Sequence, residues 1–181
     1  MDIFRAAIRE SREELGKEGV RVRFLGQRER FAEDIQSGMR ETEEKTATNT
    51  RMTMWICLSY GGRAEIVAAV KAAVAAGVEL AEESIRSHLW SAQMPDPDII
   101  IRTSGEHRLS NFLLWQAAYS ELFFIKPHWR TSENDVRLDS DRIQAPHRML
   151  GRFCFQFISS RFKRRDKTYE RNEDILGMLQ P

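Results

Sequence analysis

Four short runs with strand-like apolar patterns, separated by helical patterns, constrain the fold of this chain more than any other feature. The runs occupy residues 20–24, 52–59, 98–102 and 122–125. Strands that alternate with helices form parallel sheets whose connections are right-handed. The sequence therefore predicts an α/β fold with a central, mostly parallel sheet flanked by helices. The second run is continuously apolar, which is typical of a strand buried on both faces.

Helical spacing of apolar residues fills most of the intervals between these runs. The predicted helices span residues 2–15, 31–46, 64–76, 82–90, 111–118 and 149–162, and residues 131–146 are predicted to form a loop. In open parallel sheets, functional residues lie at the carboxyl ends of the strands. This rule directs attention to residues 26–30, 60–63, 102–110 and the region around Glu121.

Composition excludes several classes of protein. The chain has 181 residues, 41% hydrophobic and 30% charged, with a net charge of +1. A core is therefore available, whereas the charge is too small for a typical nucleic-acid-binding domain. The longest uncharged stretch, residues 52–62, is shorter than the roughly 20 residues of a membrane span. Cys57 and Cys154 lie in apolar runs and are predicted to be buried thiols, which fits a cytoplasmic protein.

The composition changes near residue 130. Residues 1–129 contain all four predicted strands, whereas residues 130–181 hold a loop, one predicted helix and a basic tail. We expect residues 1–129 to form an α/β core and residues 130–181 to form a divergent extension with too little apolar content for an independent domain.

The chemistry-bearing residues cluster after the third run. Arg102 ends a predicted strand, Gly105 permits a tight turn, and Arg108 and Ser110 stand where the next helix is predicted to begin. Two guanidinium groups and a hydroxyl at a helix N-terminus would bind an anion such as a phosphate or diphosphate. The alternative is structural: Arg102 pairs with Glu106, and Ser110 only caps the helix.

Glu121 begins the next predicted strand. A carboxylate beside a bound diphosphate would hold Mg²⁺, a hard ion that takes oxygen ligands from protein and phosphate together. The alternative is a solvated residue at the start of a strand.

The same stretch carries a resemblance. Residues 102–116 read Arg-Thr-Ser-Gly-Glu-His-Arg-Leu-Ser-Asn-Phe-Leu-Leu-Trp-Gln, and residues 118–124 read Ala-Tyr-Ser-Glu-Leu-Phe-Phe. Residues 59–66, Ser-Tyr-Gly-Gly-Arg-Ala-Glu-Ile, resemble a second block that usually begins with Asn. Together these motifs closely resemble those of the cis-prenyltransferases, and the resemblance covers roughly residues 1–129.

The resemblance implies a function and a set of partners. Members of the family condense isopentenyl diphosphate with an allylic diphosphate in the presence of Mg²⁺, forming a new cis double bond, and they usually form homodimers. Arg102, Arg108 and Ser110 match residues that bind the diphosphate of isopentenyl diphosphate, and Glu121 matches a carboxylate that helps to place Mg²⁺. Glu106 and His107 line the same loop without an assigned role, and no catalytic residue is assigned.

Two departures from the family pattern qualify this expectation. No segment of the chain reads His-x-x-Asp-Gly-Asn-x-Arg-Trp-Ala, the loop that binds the allylic diphosphate and supplies the principal Mg²⁺ ligand. The chain thus begins inside the family pattern, and we expect little activity from it alone. The Arg-x-Gly of the family's C-terminal end is also absent, although Arg165 and Lys167 are candidates for phosphate contacts.

Three interpretations follow. The first is a prenyltransferase of isoprenoid biosynthesis, and the second is a non-catalytic subunit or diphosphate-binding protein that dimerises with a complete homologue. The third, an RNA-binding module that uses residues 161–165, is disfavoured by the net charge. We expect no nucleic-acid partner, and membrane contact only at the periphery, through a lipid product.

Overall fold

The computed structural model describes residues 15–126 and the strand at residues 153–156. Contacts divide the chain into two compact units, the first containing Met1–Pro95 with Asn111–Trp115 and the second containing Asp96–Ser110 with Gln116–Pro181. Parallel strands flanked by helices form the described part, which confirms the predicted fold class.

In the first unit, two strands form a parallel pair. Strand β1 spans Val20–Leu25 and strand β2 spans Met52–Cys57, with Val20 beside Met52 and Leu25 beside Cys57. The alternating side chains of β1 are buried, as their period of two predicts. Burial of β2 on both faces is a wrong prediction, because its residues are half-buried or exposed. Cys57 is likewise a half-buried thiol.

Helix α1 spans Glu33–Lys45, close to its predicted position. Ile35 and Met39, one turn apart, are almost completely buried and contribute to the core, while charged residues occupy the outer face. The 3₁₀ turn Arg28–Arg30 precedes this helix.

Side chains near the end of α1 bind the edge of β1 that faces away from β2. The N–H groups of Val22 and Phe24 donate to Thr46 Oγ1 at 3.0 Å and Glu43 Oε1 at 2.9 Å, and Asn49 Nδ2 donates to the carbonyl of Val20 at 2.9 Å. Polar backbone groups that a neighbouring strand would otherwise bind are thereby satisfied.

Two further helices complete the described part of the first unit. Helix α2 spans Gly62–Ala75 and helix α3 spans Glu82–His88. Gly77 follows α2 with a φ of +67°, the left-handed conformation that ends many helices.

The second unit contains a three-stranded parallel sheet. Strand β3 spans Ile99–Arg102 and is fully buried; strand β4 spans Glu121–Phe124 and strand β5 spans Phe153–Gln156. β3 lies in the middle, paired with β4 on one edge and with β5 on the other.

Two predicted helices are wrong. Residues 111–118 form a series of turns, with positive φ at Ser110 (+47°), Asn111 (+66°) and Leu113 (+42°). Consecutive left-handed residues are incompatible with a right-handed helix. Within the predicted helix 149–162, residues 153–156 form β5, where aromatic side chains at Phe153 and Phe155 suit a strand.

Several predictions lie outside the described residues. These are residues 2–14 of the helix predicted over residues 2–15, the burial of Cys154, the loop over residues 131–146 and the basic tail with Arg165 and Lys167. In the part of the chain that the structure describes, no helix has the length and apolarity to cross a membrane.

Candidate functional site

Arg102 is the last residue of β3 and is only 5% exposed. Its Nη1 donates to the carbonyl oxygen of Arg108 at 2.5 Å and to Ser110 Oγ at 3.0 Å. Its Nε is buried and has no hydrogen-bond partner among the described residues. Burial, followed by the charge of Arg108, lowers the pKa of the Arg102 guanidinium, which nevertheless stays charged because arginine does not deprotonate in proteins.

Arg108 presents the second guanidinium. Its side chain is 65% exposed and forms an ion pair with Glu106, whose side chain is 39% exposed. In the structural alternative, Glu106 pairs with Arg102; the ion pair described here joins Glu106 to Arg108 instead. Exposed ion pairs contribute only about 0–1 kcal/mol, so Arg108 can exchange Glu106 for another anion at low cost.

The loop between these arginines is tied to the end of β4. The N–H of Gly105 donates to the carbonyl of Ile125 at 2.9 Å, and the N–H of Ile125 donates to the carbonyl of Arg102 at 2.9 Å. Gly105 has a φ of +68°, the left-handed conformation that suits glycine. The ring of His107 lies 5.1 Å from that of Phe124, centroid to centroid. These contacts fix the loop that carries Glu106 and Arg108.

Ser110 has a different role from the predicted one. It was expected to cap a helix beginning at residue 111, but the structure has turns there, and its hydroxyl accepts a hydrogen bond from Arg102. The donor set at this strand end therefore consists of guanidinium and hydroxyl groups without a helix N-terminus.

Glu121 lies at the opposite end of the β3–β4 pair from Arg102. Glu121 pairs with Ile99, and Arg102 pairs with Phe124. Three residues of strand, about 10 Å at about 3.3 Å per residue, separate the two positions. Glu121 is exposed, and the described residues contain no group of three or more His, Cys, Asp or Glu that could hold a metal ion. The described residues therefore do not bring Glu121 and Arg102 together, and the assignment of Glu121 as a Mg²⁺ ligand stays a prediction.

The first unit contains a buried polar cluster that the sequence analysis did not assign. Glu65 is completely buried in the first turn of α2. The Tyr60 hydroxyl donates a hydrogen bond to Glu65 Oε2 at 2.5 Å, and the N–H of Ser91 donates one to Glu65 Oε1 at 2.8 Å. The ring of Tyr60 also packs edge-to-face against Trp90 and Phe112. The available signal was Glu65 itself, the single acidic residue in an otherwise alanine- and valine-rich helix.

Comparison with protein families gives one match over most of the chain. The family described as "Putative undecaprenyl diphosphate synthase" matches residues 1–138. Among curated proteins, an isoprenyl transferase from Thermotoga maritima is 51% identical over 134 residues, which are 71% of this chain and 58% of that protein. An isoprenyl transferase from Agrobacterium fabrum is 48% identical over 136 residues, which are 71% of this chain and 55% of that protein.

Solved structures show the same likeness. A probable undecaprenyl diphosphate synthase from Campylobacter jejuni is 32% identical with a TM-score of 0.64, the match covering 68% of this chain and 58% of that one. Lavandulyl diphosphate synthase from Lavandula x intermedia, in complex with dimethylallyl diphosphate, is 29% identical with a TM-score of 0.62, covering 74% and 60%.

The chain spans about half the length of the curated relatives that it matches. The match nevertheless runs through both motif blocks, residues 59–66 and 102–124, and includes every strand of the first 126 residues. The chain belongs to the undecaprenyl diphosphate synthase family of prenyltransferases.

Proposed function

We propose that this chain binds isopentenyl diphosphate through Arg102, Arg108 and Ser110 and acts in cis-prenyl chain elongation. The observation that carries the proposal is the hydrogen bond from the buried Arg102 guanidinium to Ser110 Oγ, in the loop that also carries the exposed guanidinium of Arg108. The names of the relatives, isoprenyl transferases, support the same substrate class.

The chemistry expected of these residues is charge stabilisation. Arg102 and Arg108 together carry +2, against −1 on Glu106, so the loop has a net positive charge before a ligand arrives. Each hydrogen bond from a guanidinium to a diphosphate oxygen contributes about 1.5–3 kcal/mol, which exceeds the cost of opening the exposed Arg108–Glu106 pair. Arg108 is therefore proposed to leave Glu106 when the diphosphate binds.

Arg102 and Ser110 serve a different purpose in this proposal. Because Arg102 is buried and already bound to its own loop, it fixes the loop conformation and adds positive charge from beneath it. The Ser110 hydroxyl accepts from Arg102 and keeps its own proton available for donation to a diphosphate oxygen. Preformed donors of this kind stabilise negative charge without reorganisation at the moment of binding.

A prenyltransferase assay tests the proposed activity. The purified chain is incubated with isopentenyl and farnesyl diphosphates, with and without Mg²⁺, alone and mixed with a weakened full-length homologue. Product from the chain alone supports the enzyme. Stimulation of the homologue supports the partner-subunit alternative. No product and no stimulation would contradict both.

The proposal includes further parts that the same preparation can test. We propose a homodimer or a dimer with a complete homologue, measured as mass in solution, and a requirement for Mg²⁺, measured by its omission. We further propose that residues 1–129 form the α/β core and that residues 130–181 form the extension. We also propose that the protein is cytoplasmic. Lipid product is the proposed source of any peripheral membrane contact.

A further inference from the structure

Asn111 caps helix α2 although it lies 48 residues from Arg63 in the sequence. The N–H of Gly62 donates to the carbonyl oxygen of Asn111 at 2.7 Å, and the N–H of Arg63 donates to Asn111 Oδ1 at 2.9 Å. The N-cap residue is Gly61, which has no side chain with which to cap the helix. Asn111 thus binds two of the N–H groups that a helix start leaves without intrahelical partners.

The two glycines of the Tyr-Gly-Gly-Arg block make this approach possible. A Cβ atom on Gly61 would lie 2.6 Å from Asn111 Nδ2, and a Cβ on Gly62 would lie 2.9 Å from Leu114 Cγ and 3.0 Å from Leu114 N. The distances of 2.6 Å and 2.9 Å are shorter than Cβ atoms show in proteins, so a side chain at either position would require its neighbour to move. Neither glycine has a positive φ, so the requirement is close approach and not backbone freedom.

Neighbouring side chains hold the same segment. The rings of Phe112 and Tyr60 pack edge-to-face with centroids 5.9 Å apart, and Leu113 is completely buried. Glu65 accepts a hydrogen bond from the Tyr60 hydroxyl, which fixes the tyrosine ring. We refer to residues 111–114, seated on residues 60–63, as the latch.

Asn111 directly follows Ser110, the residue whose hydroxyl binds Arg102. Both have left-handed backbone, with φ of +66° and +47°, a conformation that costs energy in Ser and is tolerated best by Asn and Gly. We propose that Asn111 is a positioning residue for diphosphate binding, because its bonds to α2 hold the left-handed turn that aims the Ser110 hydroxyl. This inference rests on the proposed function.

Variants at Asn111 and Asn49 test it. Asn111→Gly keeps the left-handed preference and the carbonyl acceptor but removes the bond to Arg63. Asn49→Gly is the matched control, because Asn49 also binds backbone through its side chain, at the carbonyls of Gly16 and Val20. Affinity for inorganic pyrophosphate is measured by calorimetry at a temperature where both variants keep the wild-type circular dichroism spectrum.

We expect Asn111→Gly to weaken pyrophosphate binding at least fivefold and Asn49→Gly to change it less than twofold. If Asn111→Gly binds pyrophosphate as tightly as the wild-type chain does, the inference is overturned and the proposed function still stands. Absence of pyrophosphate binding by the wild-type chain overturns the proposed function, and the inference with it. The two failures are therefore distinguishable.

Amide hydrogen exchange on the wild-type chain tests the inference without a variant. If the latch positions the site, pyrophosphate binding and the hydrogen bonds of the latch stabilise each other. Saturating pyrophosphate must then slow amide hydrogen exchange at Gly62 and Arg63. We expect a slowing of at least fivefold at these amides and less than twofold at Ala47, whose N–H donates to Glu44 outside the latch. Equal exchange with and without pyrophosphate contradicts the role.

Discussion

At the scale of single residues, buried polar groups organise both units. Arg102 is satisfied at Nη1 by its own loop, and Glu65 is satisfied by a tyrosine hydroxyl and a backbone N–H. Burying a charge without partners is costly, so each such residue fixes the segments that supply its partners. These two side chains help to hold the loop after β3 and the corner before α2.

Glu65→Gln tests this role of Glu65. The amide nitrogen of Gln would face either the Tyr60 hydroxyl or the Ser91 N–H, and one hydrogen bond to a charged acceptor would be lost. We expect the free energy of unfolding, measured in urea, to fall by about 1.5–3 kcal/mol. Glu79→Gln, at an exposed loop position, should change it by less than about 0.5 kcal/mol. Equal stabilities of the two variants would contradict the role.

The sequence indicated the residues of the candidate site better than their geometry. Arg102, Arg108 and Ser110 were identified from their positions after a strand, and the structure places all three in one loop region. Ser110 was expected at a helix start because residues 111–118 have helical apolar spacing. Residues 111–114 instead pack against residues 60–63. This contact joins distant segments of the chain, so no local sequence pattern can predict it.

At the scale of elements, polar side chains replace a neighbouring strand at the edge of β1. Thr46 accepts the N–H of Val22 and donates to the carbonyl of Thr42 at 2.8 Å, and Thr46 is completely buried. This arrangement ties the end of α1 to the sheet and leaves the Val22 N–H unavailable to another chain.

Thr46→Val removes the acceptor while preserving the shape of the side chain. The buried N–H of Val22 would then lack its partner, which costs about 1–3 kcal/mol. We expect this loss in urea unfolding, whereas Thr53→Val, on the exposed side of β2, should have little effect. A Thr46→Val chain as stable as wild type would show that the edge is satisfied in another way.

Gly26 permits the turn that follows β1. Its φ is +117°, and a Cβ atom would lie 2.0 Å from the carbonyl oxygen of Leu58. Gly26→Ala should destabilise the chain by about 3 kcal/mol or more, because backbone strain and overlap with a backbone atom add together. Gly77→Ala is the control: its φ of +67° imposes strain, but no atom lies within 4 Å of the added methyl group. Similar losses in the two variants would contradict the importance of the contact.

Element types were predictable where the apolar pattern is strong. The strands β1 to β4 and the helices α1 to α3 lie close to their predicted positions, because short apolar segments and longer helix-forming stretches mark them in the sequence. β5 was predicted as part of a helix because apolar residues in 149–162 also suit helical spacing. Pairing with the buried strand β3 decides the outcome there, and pairing is a tertiary property.

At the scale of the whole molecule, family membership and proposed function rest on different observations. Membership follows from the match over residues 1–138 and the identities near 50%. The function of this chain rests on one positively charged loop in a protein that spans about half the length of its curated relatives. Binding of a diphosphate by that loop is therefore the central claim.

Calorimetric titration of the full 181-residue chain with isopentenyl diphosphate tests this claim most directly, comparing wild type with Arg108→Ala. We predict at least tenfold weaker binding by Arg108→Ala, because a charge-assisted hydrogen bond of about 1.5–3 kcal/mol is lost. Arg40→Ala, which removes another exposed arginine from an ion pair, should bind as wild type does. Equal affinity of Arg108→Ala and wild type would contradict the account.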